Sequence, residues 1–382
     1  MENFQYYAPT KVVFGKGTEN KAGQLVKEQN CRKVLIHYGS GSVKRSGLLD
    51  RIFASLDEEG ISYISLGGVV PNPRLSLVYE GIDLCRREGV DFILAVGGGS
   101  VIDSAKAIGY GVENEGDVWD FYERKRQACG CLPIGVVLTI AAAGSEMSDS
   151  SVITNENGWL KRGYNSSYCR PKFAVMNPEL TMTLPKYQTA SGCVDIMMHT
   201  MERYFNHLRG NALSIISNQS TGAEPQCYKA RAEVMWAGSL SHNGLMACGN
   251  DGGDWACHQL EHELGGMFDV AHGAGLAAVW GSWARYVCDA LPDRFEQFAV
   301  NVMGVENGDD KNAVIQKGIE AMENFFRQIE MPTDLGGLNI EVSEDQMKEL
   351  ALKCSHFGKR TIGCVKKLNQ EDIYRIYQKA AD

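Results

Sequence analysis

Long apolar runs are missing from this 382-residue chain, and none approaches the span a bilayer-crossing helix needs. The N-terminal MENFQYYAPTKVVFG also lacks a basic segment followed by an apolar one. Together these absences predict a cytoplasmic, soluble protein with no membrane partner. Positive charge is scarce, with 38 Lys and Arg against 47 Asp and Glu and a formal net charge of −9. That balance excludes a broad phosphate-binding face and hence a nucleic-acid partner, although an anionic cofactor can still bind locally. No two of the twelve cysteines form a CxxC pair. Apart from Cys129 and Cys131 they are dispersed, as expected of buried thiols in a reducing compartment. Proline is sparse at 10 residues, and the 42 Gly and 44% hydrophobic content describe an ordinary globular chain long enough for more than one domain.

The chain changes character near its middle. In the first part, β-branched runs lead into glycine-rich turns and then amphipathic segments: KVLIHYGSGS, ISYISLGG, DFILAVGGGS, and PIGVVLTI before AAAGSE. Such alternation predicts a βα sheet covered on both faces, with ligand loops at the strand ends. After about Leu184 the strand-like runs fade, and TASGCVDIMMHTMERYF and DWACHQLEHELGGMF carry helical spacing. Further helices are predicted at Asp310 to Gln328 and Glu344 to Cys354, and a surface hairpin or loop at Thr154 to Tyr168. The predicted organisation is an α/β domain over 1–184 and a mostly helical domain over 185–382.

Two glycine-rich turns are candidate anion sites. In AVGGGSVIDSAKAI an apolar strand runs into Gly97, Gly98 and Gly99, with Ser100 placed to cap the next helix. Missing Cβ atoms allow close backbone approach, and amides at a helix start suit a pyrophosphate. The usual six-position dinucleotide fingerprint is absent from this turn, and a plain tight turn would use the same glycines. In HYGSGSVK, Gly39, Ser40, Ser42 and Lys44 follow a strand where a dinucleotide fold commonly faces the adenosine ribose. An acid there would select NAD; hydroxyls, amides and a lysine favour NADP(H) over NAD(H). An isolated lysine is equally compatible with a solvated surface position.

Metal-ligand residue types cluster later. Asp195 and His199 are four residues apart, as are His258 and His262, so each pair projects from one helical face; His272 follows. HQLEH is not the HExxH of zinc hydrolases, because Gln259 stands where the general base belongs and Glu261 and Glu263 are misplaced for that role. Any one of these histidines alone would more often be a hydrogen-bonded core residue.

The ordered series KVVFGKG, YGSGSVKRSG, GGVVPNP, AVGGGSVIDSAKAI, TIAAAGSEM, VDIMMHTMERY and DWACHQLEHELGGMFDVAHGAGLA resembles the iron-containing alcohol dehydrogenase family. Within that family it looks most like the butanol dehydrogenase and NADPH-dependent aldehyde reductase branch. The resemblance covers almost the full length. It implies an α/β N-terminal dinucleotide-binding domain plus an all-α C-terminal metal-binding domain, the dehydroquinate synthase-like fold. It assigns metal ligation to Asp195, His199, His258 and His272, and cofactor positioning or proton relay to His262. Gly97, Gly98, Gly99, Ser100, Asp103 and Thr139 take the cofactor positions.

Ala141 and Ala143 replace the family's usual Pro and Thr, and Asn177 replaces a frequent Asp. The implied metal is Fe(II), with Zn(II) as the alternative, and the implied partners are a small primary alcohol or aldehyde and a second copy in a homodimer. A related NAD(P)-dependent polyol dehydrogenase, or a non-enzymatic metal-binding protein, is the competing expectation. Trp119, Phe121, Tyr122, Trp159, Tyr164 and Trp255 are candidate lining of a substrate entrance, or else core aromatics.

Overall fold

The computed structural model describes residues 3–207, 226–250 and 252–382. The chain forms two units, Tyr6–Pro185 with Asn218–Gly244, and Met1–Gln5, Lys186–Ser217 with Leu245–Asp382. Among the described residues no helix is long and apolar enough to cross a membrane.

The first unit is built on strands β1 (Lys11–Phe14), β2 (Lys33–Gly39), β3 (Ser62–Val69), β4 (Phe92–Gly97), β5 (Ile134–Leu138), β6 (Ser150–Asn155), β7 (Leu160–Asn165) and β8 (Phe173–Met176). Its helices are α1 (Ala22–Lys27), α2 (Ser42–Arg45), α3 (Leu48–Glu58), α4 (Leu75–Glu88), α5 (Gly99–Glu113) and α6 (Trp119–Tyr122). Six strands pair in parallel in the order β1-β8-β5-β4-β2-β3, while β6 and β7 form the antiparallel hairpin expected near Thr154 to Tyr168.

Strand periodicity explains why both sheet faces are covered. On β4, Ile93 and Ala95 join one apolar layer with Val78 of α4 and Ile102 of α5, whereas Phe92, Leu94 and Val96 join a second layer with Leu25 of α1 and Ile52 of α3. Successive side chains point to opposite faces, so a central strand packed on both sides must be apolar throughout, as every residue of β4 and β5 is buried. The sheet polarity places the C-terminal ends of β2, β4 and β5, each followed by a turn, on one edge.

In the second half of the sequence, α7 (Lys186–Tyr204) is followed by α8 (Tyr228–His242), α9 (Ala256–Phe268), α10 (His272–Val287), α11 (Pro292–Gln297), α12 (Lys311–Gln328), α13 (Glu344–Cys354) and α14 (Gln370–Ala381). One correction to a single cut after Leu184 is needed, because α8 belongs to the first unit. Ser239 of α8 hydrogen-bonds the buried Glu146 carboxylate, and a Cβ on Gly144 would stand 2.6 Å from the Gly238 carbonyl oxygen, so that backbone approach holds α8 against the loop after β5. Helical periodicity marks α8 as a helix but carries no information about which core receives it.

The remaining helices share a core that includes Met198, Leu260, Trp280, Trp283, Ile319, Leu350 and Tyr377. Local signals start several of them. Asp310 caps α12, and Ser343 with Gln346 and Asn369 with Asp372 form reciprocal capping boxes before α13 and α14. Tyr377 donates to the Leu260 carbonyl at 2.7 Å, tying the last helix to α9.

Candidate metal centre and cofactor loops

Helical spacing brings Asp195 and His199 onto one face of α7, and α9 and α10 deliver His258 and His272 to the same point. The Nε2 atoms of His199, His258 and His272 lie 3.7, 3.6 and 3.6 Å from a single atom, Asp195 Oδ1. Asp195, His199 and His258 are buried, while the His272 side chain retains 28% exposure and marks the open side of the cluster. His262 stands beside this set: one of its ring nitrogens groups with Glu261 and His272, and its ring centre is 5.9 Å from that of His272.

The donor set fits a divalent cation. Two ligand atoms each about 2.1 Å from a tetrahedral ion stand about 3.4 Å apart, close to the observed separations. Among the described residues, Asp195 Oδ1 and His258 Nε2 are buried without a hydrogen-bond partner although they face each other, an arrangement that is costly unless positive charge lies between them. His258 carries the same message. Burial pushes its pKa down, but the Glu202 and Asp195 carboxylates outweigh burial and raise it to about 9. The pocket therefore demands positive charge, from a proton or from a metal.

Two carboxylates escaped the sequence reading. Glu202 and Glu261, both buried, accept hydrogen bonds from Nδ1 of His258 and of His272. Glu202 is three residues after His199 and Glu261 three after His258, so helical spacing could have flagged both as neighbours of the ligands. Set against HExxH, Glu261 counts only as a misplaced general base, and no motif points to Glu202. Trp255 is the one proposed entrance aromatic beside the cluster, with its ring centre 5.0 Å from that of His258 and 4.5 Å from the Arg203 guanidinium.

The other aromatics are packing groups. Trp119, Phe121 and Tyr122 are buried, Tyr164 stacks on Phe121 at 5.5 Å, and the exposed Trp159 takes the Arg74 guanidinium at 5.0 Å.

In the first unit, Gly97 ends β4 and α5 opens at Gly99. Ser100 does not cap this helix: Gly98 holds the N-cap position, leaving no side chain there to satisfy the first amides. A Cβ on Gly98 would stand 2.8 Å from Ile140 Cβ, and one on Gly99 3.0 Å from Ala143 Cβ, so the turn lies directly against the Thr139–Ala143 segment. Thr139 joins the two through its amide, which donates to the Gly97 carbonyl at 3.0 Å.

Asp103 is engaged inside the protein. Its carboxylate accepts from Ser145 Oγ at 2.5 Å and from the Val152 amide at 2.9 Å. One turn on, the fully buried Lys106 ammonium reaches the carbonyl oxygens of Ser145, Ser148 and Ser150 at 2.7, 3.0 and 2.8 Å. Asp103 and Lys106 together hold the segment after β5, and sequence reading missed the lysine.

At the end of β2, Gly39 leads to exposed Ser40, Ser42 and Lys44, and the Lys44 ammonium sits 5.1 Å from the Tyr38 ring centre. Asn177 caps the Pro178–Thr181 turn through the Glu179 amide and donates to Glu19, so its amide serves a structural contact.

Comparison with known proteins covers both halves. Residues 9–178 match the iron-containing alcohol dehydrogenase family model, and residues 189–381 match the Fe-containing alcohol dehydrogenase C-terminal model. The chain is 38% identical to NADH-dependent butanol dehydrogenase A of Clostridium acetobutylicum, with 100% of both chains covered. It is 34% identical to the NADPH-dependent aldehyde reductase YqhD of Escherichia coli, again over 100% of both. The crystal structure of NADH-dependent butanol dehydrogenase A from Thermotoga maritima superposes with a TM-score of 0.93 at 39% identity, covering 100% of this chain and 99% of that one. The chain belongs to the iron-containing alcohol dehydrogenase family, close to its butanol dehydrogenase and aldehyde reductase branch, and is a metal-binding oxidoreductase.

Proposed function

We propose that the protein interconverts small primary alcohols, such as butanol, and their aldehydes by hydride transfer with NADP(H). The observation that carries this reading is the convergence of three imidazole nitrogens on Asp195 Oδ1. Asp195, His199, His258 and His272 would hold Fe(II), with Zn(II) the alternative for the same donor set. When bound, the metal supplies Lewis-acid polarisation of the substrate oxygen and the dinucleotide supplies or accepts the hydride. The side chains bind, orient and move protons. In the reductive direction the carbonyl carbon gains the hydride and the oxygen a proton, which His262 gives or relays from solvent. The glycine turn at Gly97, Gly98 and Gly99, with Ser100 and Thr139, would hold the pyrophosphate, and Asp103 would act by shaping the loop beside it.

The named relatives divide on the cofactor, two being NADH-dependent and one NADPH-dependent. The choice here rests on Ser40, Ser42 and Lys44, a hydroxyl and ammonium set without a carboxylate that suits a ribose 2′-phosphate. The test is anaerobic purification with elemental analysis, then kcat/KM for NADPH and NADH across an aldehyde panel and the reverse alcohols. Aldehyde-dependent turnover favouring NADPH is expected. Folded, metal-loaded protein without turnover across the panel refutes the reading; turnover favouring NADH refutes only the cofactor choice.

A further inference from the structure

We infer that Glu202 and Glu261 are positioning residues that aim His258 and His272 at the metal by fixing their tautomers, an inference that rests on the metal-centre reading above. A neutral imidazole has one N–H and one lone pair, and nothing intrinsic assigns them firmly to either nitrogen. A carboxylate accepting at Nδ1 keeps the proton there and leaves the lone pair on Nε2, the atom that faces Asp195 in both histidines. Without that partner, part of the population presents an N–H to the ion.

The arrangement also links the helices in sequence. Glu202 lies on α7, the helix that carries Asp195 and His199, and reaches across to the ligand on α9. Glu261 lies on α9, beside His258, and reaches the ligand on α10. α7 and α9 therefore each supply ligand side chains and align the ligand on the next of the three helices. Glu202 does this with both oxygens: Oε2 takes the His258 ring, and Oε1 accepts the His258 backbone amide at 3.1 Å. That amide lies in the first turn of α9, where an intrahelical partner is lacking, so one carboxylate fixes both the ring and the helix start. Room for Glu261 comes from α10, where a Cβ on Gly275 would stand 2.8 Å from Glu261 Cγ.

Glutamine separates the two cases. In Glu202→Gln one of two accepting oxygens becomes an NH2, which opposes either the ring N–H or the backbone N–H. In Glu261→Gln the amide oxygen can still accept from Nδ1, whereas Glu261→Leu cannot accept at all. The experiment is chelator-competed Co(II) titration of the apo full-length wild type, E202Q, E261Q and E261L, with the Co(II) visible spectrum at saturation and the melting of each apo protein. Expected are about 10- to 100-fold weaker Co(II) binding in E202Q and E261L, a smaller loss in E261Q, and shifted Co(II) bands at saturation.

Wild-type affinity in folded E202Q and E261L overturns the inference. So does a lower apo melting temperature with an unchanged Co(II) spectrum, which describes a purely structural role. E261L and E261Q keep the test decisive if E202Q does not fold. A wild-type protein that binds no Co(II) refutes the metal-centre reading itself, and the positioning role with it.

Discussion

Replacing Lys106 by methionine removes an ammonium from a fully buried place while keeping a similar side-chain length. Its three N–H donors serve three carbonyl oxygens and, at 2.9 and 3.3 Å, the hydroxyls of Ser145 and Ser148. Each buried carbonyl left without its donor costs about 1–3 kcal/mol. The Ser150 contact is only partly buried, so water can offset part of the loss, and about 3–5 kcal/mol, the lower part of the three-carbonyl sum, is expected. For a unit of this size each kcal/mol lowers the melting temperature by about 2–4 °C, so a fall of roughly 6–20 °C is expected.

The affected backbone is the segment that Asp103 also grips through Ser145 and Val152, and it adjoins the glycine turn at Gly98 and Gly99. If the glycine turn holds the dinucleotide as proposed, NADPH binding should weaken by about tenfold, equivalent to about 1.4 kcal/mol of lost preorganisation. Calorimetric melting and NADPH titration of the K106M protein check both parts. A melting temperature equal to that of the wild type refutes the stability argument. A lowered one with unchanged NADPH affinity refutes the link to the cofactor loop.

His258→Ala should abolish most metal occupancy and turnover, as read by elemental analysis and aldehyde reduction; wild-type metal affinity would sink its ligand role. Gly273→Ala places a Cβ 1.9 Å from the Ser191 carbonyl oxygen on α7, which no side-chain movement can relieve. It should separate α7 from α10, draw His272 away from Asp195 and lower metal content, whereas full occupancy would show that the approach is dispensable. Stability should also fall in acid through His37, whose complete burial holds its pKa at about 4 although its Nδ1 donates to the Leu66 carbonyl, with Nε2 paired to Ser104 Oγ. The unfolded chain takes up a proton near pH 6.5 and the folded one does not, so this contribution is complete above about 6.5 and is lost as pH falls toward 4. The loss is about 2 kcal/mol by pH 5. Urea unfolding from pH 7 to pH 5 should show a flatter slope in a His37→Gln variant, and equal slopes would refute the assignment.

The chain alone determined what short-range geometry can encode. Strand, glycine turn and helix follow one another at Phe92 to Glu113, and a four-residue spacing puts Asp195 and His199 on one face, because backbone periodicity acts over a few residues. Metal chemistry was legible in residue types and in the family resemblance of the ordered motifs. Convergence of α7, α9 and α10 on Asp195 Oδ1 was not, since it depends on how three helices pack over long sequence separations. The same limit explains the other departures. Asp103 shows its grip on Ser145 and Val152 only in the tertiary structure, the choice between entrance and core for Phe121 and Tyr122 is decided by their burial, and α8 carries no local mark of the core it joins. Glu202 and Glu261 stand at legible spacings, yet only tertiary structure gives each a histidine on the next helix, because a buried carboxylate acquires its role from the donor that packing brings to it.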